Sequence, residues 1–212
     1  MKRFLIATVL IVTTVFMSAC KKEEPSDGPA IPEGSEPYTE ADIQFVPYTS
    51  GDRLFNRISP DEDSSFTLVF KERLRTEAYY AWDQTYFTYS NDATKEVELR
   101  LRYLQTEEKS QKTLAIYLPY HDAVGTLQQR LFEVPIGNPD SLEDGYFKDL
   151  VDFHDTLVVN SIEWYDVYEI EPLTPVDPTK DGPENYVRIL YNKIYGIIEM
   201  DQNNGSKWVL EQ

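Results

Sequence analysis

Apolar and polar residues alternate with a period of two along most of the chain from about Asp42 onward. In the clearest example, 96–103, every second side chain is apolar: Val97, Leu99, Leu101 and Tyr103. The side chains between them are charged: Glu96, Glu98, Arg100 and Arg102. Because successive side chains of a strand point to opposite faces, this pattern predicts a half-buried strand with mixed charges in water. The period favours a β-rich fold.

Similar runs recur between turn signals, at 65–71, 76–90, 113–118, 129–136, 156–159, 162–170, 186–191, 196–200 and 207–210. Asn160-Ser161 and Asn203-Asn204-Gly205 predict hairpin turns. About nine or ten strands exceed the usual size of one open sheet. We therefore expect an all-β, antiparallel fold, either one strongly curved sheet or a two-layer sandwich. One short helix at most is expected, at 139–151.

The first segment of the chain differs from the rest. Lys2 and Arg3 precede an apolar run of 14 residues, 4–17, interrupted only by threonines. A bilayer span needs about 20 apolar residues, whereas this shorter run is typical of a secretory signal peptide. We expect residues 1–19 to be a cleaved signal peptide.

Met17-Ser18-Ala19-Cys20 ends this segment. It resembles the lipobox of bacterial lipoproteins, although Met17 stands where that motif usually has leucine. The resemblance implies cleavage before Cys20 and attachment of acyl chains to it. Cys20 is the single cysteine of the chain, so it has no partner for an internal disulfide. Two or three acyl chains give stable anchoring, and we expect the membrane to be a partner through lipid on Cys20.

Residues 20–40 are rich in proline, glycine, serine and acids, with few large apolar side chains. Such a stretch cannot bury enough surface to offset the entropy of ordering it. We therefore expect a tether, followed by a single β-rich domain at 41–212. Lys21-Lys22-Glu23-Glu24 resembles the charge pattern that directs Bacteroidota lipoproteins to the cell exterior. This favours a lipid anchor in the outer membrane with the domain on the cell surface, over the periplasmic side.

The chain is strongly acidic. Its formal charge is −17, from 37 acidic and 20 basic residues. Loss of Lys2 and Arg3 with the signal peptide brings the charge to about −19. Nucleic acids and anionic lipid surfaces are bound through clusters of Lys and Arg, so the charge argues against both. We expect no nucleic-acid partner.

Four strings near the C-terminus, 156–160, 165–167, 191–198 and 208–210, are similar to the last strands of many uncharacterised β-rich Bacteroidota lipoproteins. The resemblance implies a β-rich fold and brings no activity or site. Gly196 lies inside a predicted strand, where glycine indicates a bulge or a close packing contact.

Motifs for catalysis are scarce. His121 and His154 are the only histidines, and a strand would put Asp152 and His154 on one face. An acid–base or metal role is conceivable, but surface positions are the simpler interpretation. The chain has no zinc-protease, nucleophile-elbow or phosphate-loop motif. Sequence alone cannot recognise a catalytic pair among 37 acids. We expect no enzymatic activity and no cofactor.

Asp177 to Gly182 begins like an EF-hand loop, with oxygen side chains at its first, third and fifth positions and glycine at the sixth. Arg188 occupies the twelfth position, where that motif requires glutamate, so an EF-hand is excluded. Looser calcium binding here or at Asp61-Glu62-Asp63 is an alternative to solvated turns, which we favour; no metal is expected. The enclosing polar loop, 172–185, is long for a hairpin, which is typical of functional or mobile loops.

Aromatic residues cluster at 79–89. Tyr80, Trp82 and Tyr86 share one parity of a strand, whereas Tyr79, Phe87 and Tyr89 have the other. One set is expected to fill the core. The other is either covered by a second layer, which we favour, or exposed as a platform for a sugar or a protein partner. Tyr80, Trp82 and Tyr86 are the candidate ligand-binding residues.

These observations favour a membrane-anchored lipoprotein with a non-enzymatic binding or accessory role, its ligand an unidentified protein or glycan. An exposed aromatic patch would support this function. The alternative is a periplasmic carrier of hydrophobic ligands, which would need an apolar cavity inside the curved sheet. A hydrolase is a weaker alternative and would need two acids, or His154 and a partner, in one cleft.

Overall fold

The computed structural model describes residues 36–48, 50–58, 64–78, 81–105, 110–137, 146–177 and 179–211. Cys20 and the signal peptide lie outside the described residues. One short helix, α1 (Glu40–Ile43), precedes eleven strands. The strands are β1 (Arg53–Ile58), β2 (Ser65–Ala78), β3 (Ala81–Tyr89), β4 (Asp92–Gln105), β5 (Ser110–His121), β6 (Leu127–Pro135), β7 (Val151–Val159), β8 (Ile162–Ile170), β9 (Tyr186–Asn192), β10 (Gly196–Gln202) and β11 (Lys207–Leu210).

All eleven strands belong to one sheet, in the order β6-β5-β4-β3-β2-β1-β11-β10-β9-β8-β7. Every pairing is antiparallel. The pairing of β1 with β11 joins the two halves of the chain. The predicted all-β, antiparallel fold is confirmed, and the curved sheet is the observed arrangement.

The sheet curls until its edge strand β6 approaches the chain beyond β8. Phe132 of β6 forms an isolated bridge with Pro172, and the Leu173 N–H donates to the Leu131 carbonyl over 3.0 Å. A single sheet of this size usually curls, splits or flattens, and curling shields one face of this sheet from water. The curl therefore defines an inner face, which holds the core, and an outer face.

Alternation along the strands builds the core on the inner face. The four apolar residues of the 96–103 pattern in β4 are at most 3 % exposed. Their neighbours across the sheet are apolar too, since Leu99 pairs with Ile116 and Leu101 with Leu114. Large side chains that are fully buried include Tyr48, Phe55, Phe87, Phe132 and Tyr191. Burial of apolar surface stabilises the fold by about 25 cal/mol per Å².

The segment 38–48, which contains α1, fills one end of the curl, here called the helix end. Thr39 caps α1 through a reciprocal capping box with Asp42. The Asp42 carboxylate also pairs with Lys112 of β5 at 2.8 Å. The Tyr191 hydroxyl donates to the Phe45 carbonyl over 2.5 Å. These contacts fasten the segment to strands on both sides of the curl.

The loop 172–185 covers the opposite end, here called the loop end, and Arg130 holds it there. Arg130 is 5 % exposed. Its guanidinium pairs with Asp181 at 2.9 Å, and it donates to the Thr174 carbonyl at 2.9 Å and to Asn185 at 3.1 Å. The length of this loop therefore has a structural explanation, because the loop closes the core.

Two sequence-based predictions need correction. Strand β1 is missing from the predicted strands because its sequence does not alternate in the expected way. Its inner face holds Phe55 and Arg57, whereas the apolar Leu54 and Ile58 are 38 % and 43 % exposed. The helix predicted at 139–151 is wrong for its described part, since 146–150 form a turn that leads directly into β7. Residues 138–145 lie outside the described chain.

Other local predictions are confirmed. Asn160 and Ser161 have positive φ angles of 48° and 67° and join β7 to β8. Gly205, with φ 81°, turns the chain between β10 and β11. Gly196 shows the predicted close packing contact, because a Cβ at that position would overlap the buried ring of Tyr48. The Tyr48 hydroxyl in turn accepts the Ile197 N–H over 2.6 Å.

Gly196→Ala should destabilise the protein by about 3–5 kcal/mol, because it combines a positive φ with overlap against a fully buried ring. The matched control is Gly205→Ala, which has nearly the same φ but no atom within 4 Å of the added Cβ. Its expected loss is about 1–2 kcal/mol. Urea unfolding measures both, and equal losses would contradict a packing role for Gly196.

Asp181→Ala should destabilise the protein by about 3–5 kcal/mol, because it leaves the buried guanidinium of Arg130 without its carboxylate. Lys193→Ala, which breaks an exposed ion pair with Asp166, should change stability by less than about 1 kcal/mol. Urea unfolding distinguishes the two. The combined change Arg130→Met and Asp181→Leu should regain much of the loss, since no unpaired charge stays buried.

The same ion pair predicts a dependence on pH. Burial alone would raise the pKa of the Asp181 carboxyl, but the Asp177 N–H and the charge of Arg130 outweigh it and hold the pKa below its ordinary value of 3.8. A carboxyl with a lowered folded pKa stabilises fully above its unfolded pKa, and the stabilisation is lost as the pH falls through the folded value. The loss of stability at falling pH should therefore be less steep in the double variant (Arg130→Met with Asp181→Leu) than in the wild type.

Candidate binding groove

Strand β3 carries residues 81–89 of the predicted aromatic cluster and divides them between two faces. Phe87 and Tyr89 point inward and are 0 % and 6 % exposed. Tyr86 has the opposite parity and is half-buried on the outer face. Tyr80 and the side chain of Trp82 lie outside the described residues. Of the three candidate residues, Tyr86 is therefore the one whose surroundings are described.

A row of outward side chains leads from Tyr86 across the neighbouring strands. Tyr86 pairs with Glu98 of β4, Glu98 with Tyr117 of β5, and Tyr117 with Leu131 of β6. Directly paired residues of antiparallel strands lie on one face, with Cβ atoms about 5 Å apart. The pairing thus assembles two tyrosines, a carboxylate and a leucine that are distant in sequence.

A groove with a volume of about 540 Å³ lies at the β5–β6 end of this row. This outer groove is lined by Thr94, Glu96, Tyr117, Pro119, Leu127, Gln128, Gln129 and Leu131. Leu127 is 41 % exposed, and Gln128 and Gln129 are exposed as well. The volume lies within the range of about 300–1,000 Å³ that is common for small-ligand sites.

Charged side chains hold Tyr117 in position. Glu98 is 7 % exposed and accepts hydrogen bonds from Gln84 at 2.7 Å and from the Arg100 Nε at 2.8 Å. The guanidinium carbon of Arg100 lies 4.9 Å from the centre of the Tyr117 ring. Glu98 also affects Tyr86: burial is the main cause that raises the pKa of the Tyr86 phenol, and the charge of Glu98 adds to it. Because the ring of Tyr117 is already held in place, a ligand would bind it with little loss of side-chain entropy.

The groove lining combines apolar surface with planar polar groups. Tyr117, Pro119 and Leu131 offer ring and aliphatic surface, whereas the amides of Gln128 and Gln129 both donate and accept hydrogen bonds. This combination suits a ligand with apolar faces and hydroxyl-bearing edges. It offers no nucleophile paired with a base.

The two histidines lie in different parts of the sheet. His121 ends β5 and pairs with Leu127 at the margin of the outer groove. His154 lies on the edge strand β7, and its Nε2 is 3.0 Å from the Glu169 carboxylate. In the β7–β8 register, Asp152 lies directly opposite Glu169. Asp152 and His154 are two residues apart on β7 and therefore share one face of the strand.

Glu169 belongs to a charged cluster on the outer face of β8–β11. Arg188 contacts the carboxylates of Glu169, Glu199 and Asp201 at 2.7, 2.9 and 2.6 Å, and Lys207 lies 3.1 Å from Glu199. Burial raises the pKa of Glu169, but the hydrogen bond and charge of Arg188 outweigh it, so its pKa is lowered. Burial is the main cause that raises the pKa of the Glu199 carboxyl, and the charge of Asp201 adds to it. These carboxylates are engaged in ion pairs that connect neighbouring strands.

The loop that begins like an EF-hand uses its oxygens internally. The Asp177 carboxylate accepts hydrogen bonds from the Thr179 hydroxyl and N–H at 2.6 and 2.9 Å, and these bonds lower its pKa to about 2. Asp181 is paired with Arg130. Across the ranges that the structure describes, no three His, Cys, Asp or Glu residues form a group that could hold a metal ion. Asp61-Glu62-Asp63 lies outside those ranges.

No protein-family model matches the sequence, and no curated protein or solved structure matches it either. In the described part of the chain, no helix is long and apolar enough to cross a membrane.

The sequence by itself does not predict the outer groove. The available signal was the alternation in β5, where Tyr117 is an outward aromatic residue between the buried Ile116 and Leu118. That signal marks one residue of a groove whose walls come from three strands. The pairing register was needed to bring Thr94 and Leu131 beside it.

Proposed function

We propose that this chain is a lipid-anchored, non-enzymatic binding lipoprotein that holds a neutral glycan in its outer groove. The observation that carries the proposal is the groove beside Tyr117, which continues the outward row from Tyr86. An aromatic ring beside amide side chains suits a sugar, because a sugar ring has apolar C–H faces and hydroxyl edges.

Charge favours a neutral ligand over an anionic one. Glu96 lines the groove, and its carboxylate pairs with Lys71 at 2.7 Å. The formal charge of the chain is −17, so a polyanion would be repelled over a long range. A polyhydroxylated, uncharged oligosaccharide meets neither obstacle.

Anchoring is proposed at Cys20, on the resemblance of Met17-Ser18-Ala19-Cys20 to a lipobox. Acyl chains at this residue and the tether that follows would hold the domain beside the outer membrane. The Lys21-Lys22-Glu23-Glu24 cluster supports the outer face of the cell as its location. A glycan ligand on the cell exterior agrees with that location.

The carrier of hydrophobic ligands is the second candidate, and the interior of the curl gives it less support. The inner face is filled by aromatic and branched side chains, and the segment 38–48 packs into its helix end. Tyr48 contacts Phe87 with ring centres 4.8 Å apart, and Phe45 contacts Tyr191 at 5.8 Å. An apolar ligand would have to displace these contacts.

Tyr117→Ala should weaken binding of neutral oligosaccharides about tenfold or more, since truncation of a central aromatic contact removes roughly 1.4 kcal/mol or more. Titration calorimetry of the mature protein in detergent micelles, after a screen of neutral oligosaccharides, measures the loss. Tyr165→Ala, a change at an exposed tyrosine on β8, is the control and should leave the affinity unchanged. Equal affinity of Tyr117→Ala and wild type would contradict the proposed site. Binding of a protein partner, with no binding of any sugar, would contradict a glycan as the ligand.

Protease treatment of intact cells tests the location. The wild type should be degraded, and a variant with Lys22, Glu23 and Glu24 changed to alanine should be protected, because the charge cluster is the proposed export signal. Cys20→Ala should remove acylation, which mass spectrometry of the purified protein detects. If the wild type is degraded only after cell lysis, the domain faces the periplasm, and the hydrophobic carrier gains support.

A further inference from the structure

Exposed apolar side chains concentrate at the helix end. Of the ten large hydrophobic residues that are exposed in the described chain, five lie toward this end: Leu74, Val158, Tyr165, Ile194 and Tyr195. Strands β2, β7 and β9 run toward the helix end, whereas β8 and β10 start from it. Ordinary surfaces carry such residues singly, and a concentration of them indicates an interaction surface.

Two of them, Ile194 and Tyr195, form one continuous surface with the exposed Leu54 of β1. Leu54, Ile194 and Tyr195 line a shallow groove of about 430 Å³, together with the buried Leu210. The exposed ring of Tyr195 also lies 5.1 Å from the buried ring of Trp164 on β8. The surface therefore extends from β1 to the β9–β10 turn.

The chain enters the domain at this same end. The Tyr103 hydroxyl donates to the Glu36 carbonyl over 2.9 Å, and the rings of Tyr38 and Tyr103 are 4.9 Å apart. Only 15 residues, 21–35, separate the proposed lipid attachment site from the first described residue, Glu36. Their fully extended length is at most about 55 Å. The apolar surface is therefore within reach of the bilayer that carries the anchor.

We propose that the domain docks, toward its helix end, on the phospholipid bilayer in which the chain is anchored, through Leu54, Ile194 and Tyr195. The inference rests on the lipid anchor of the proposed function. A short tether keeps the domain at an effective concentration of the order of millimolar near the bilayer. A surface with only a few apolar side chains would bind membranes too weakly from solution, but at this effective concentration it is sufficient for docking.

The residue types fit the interface of a bilayer with zwitterionic headgroups. Tyrosine places its ring among apolar groups and its hydroxyl among polar ones, which suits the headgroup region. The acids Asp52 and Glu211 border the groove, and Arg53 is the base that lines it. Attraction to anionic lipids requires clusters of basic residues, so the docking depends on apolar contact.

Docking would also orient the outer groove. Thr94 follows the β3–β4 turn and Leu127 follows the β5–β6 turn, and both turns lie at the loop end, away from α1. With the helix end on the bilayer, the strands stand across the membrane plane and the groove lies in the half of the domain that is farther from lipid. A glycan outside the cell would then have access to it.

The experiment uses the mature, lipidated chain, because acylation of Cys20 leaves an introduced cysteine as the only free thiol. An environment-sensitive NBD label is attached to Ile194→Cys, and in the control to Val124→Cys, which replaces an 86 % exposed residue at the loop end. Each protein is reconstituted in phosphatidylcholine vesicles at low protein density, with and without a headgroup-linked spin quencher. Quenching at position 194 should exceed that at position 124 about twofold or more.

Equal quenching at the two positions would overturn docking, because it describes a domain that moves freely on its tether. Shielding of the 194 label that is insensitive to the lipid quencher would also overturn it, since that result indicates a second copy on the surface. Vesicle flotation tests the anchor separately. A chain that fails to float lacks the proposed lipid attachment, whereas a chain that floats without selective quenching is anchored and undocked.

Discussion

A β-sheet has two faces, and the main physical constraint on this chain is that one of them must be shielded from water without a second layer. The sheet meets it by curling until Phe132 reaches Pro172. A curled sheet is open at both ends, so the core depends equally on what covers them. The segment 38–48 covers the helix end with apolar and aromatic side chains, and the loop 172–185 covers the loop end around Arg130.

The two closures differ in chemistry. At the helix end, hydroxyls of buried tyrosines bond to backbone groups, as Tyr191 does to the Phe45 carbonyl. Burial raises the pKa of Tyr191 well above its ordinary range, so the phenol stays neutral and brings no charge into the core. At the loop end a buried guanidinium requires a carboxylate, and Asp181 supplies it. Loss of one partner there leaves a buried charge, which is far more destabilising than loss of a surface ion pair.

With the inner face occupied, the outer face and the ends of the curl are the surfaces left for function. The outer groove uses residues that alternation placed outward on β4, β5 and β6, and ion pairs behind Tyr117 keep its ring in position. The helix end carries apolar residues beside Glu36, where the described chain begins. These surfaces lie toward opposite ends of the strands, so the proposed anchoring would leave one of them near the membrane and the other far from it.

The sequence by itself determined the class of fold, because a period of two in hydrophobicity is a local property of a strand. It predicted the Asn160-Ser161 turn, because the residue types that favour a turn are a local property. At Gly196 it predicted a bulge or a close contact, and only the fold brought the ring of Tyr48 there. It placed Phe87 and Tyr89 on the opposite face from Tyr86 by parity, and the structure decided that Phe87 and Tyr89 face inward. Tertiary structure decided the choice of a curl over a sandwich, the place of β1, and the outer groove. Those features depend on strand register and on partners far apart in the chain, such as Tyr86, Glu98 and Tyr117, and alternation within one strand carries no information about which strand pairs with it.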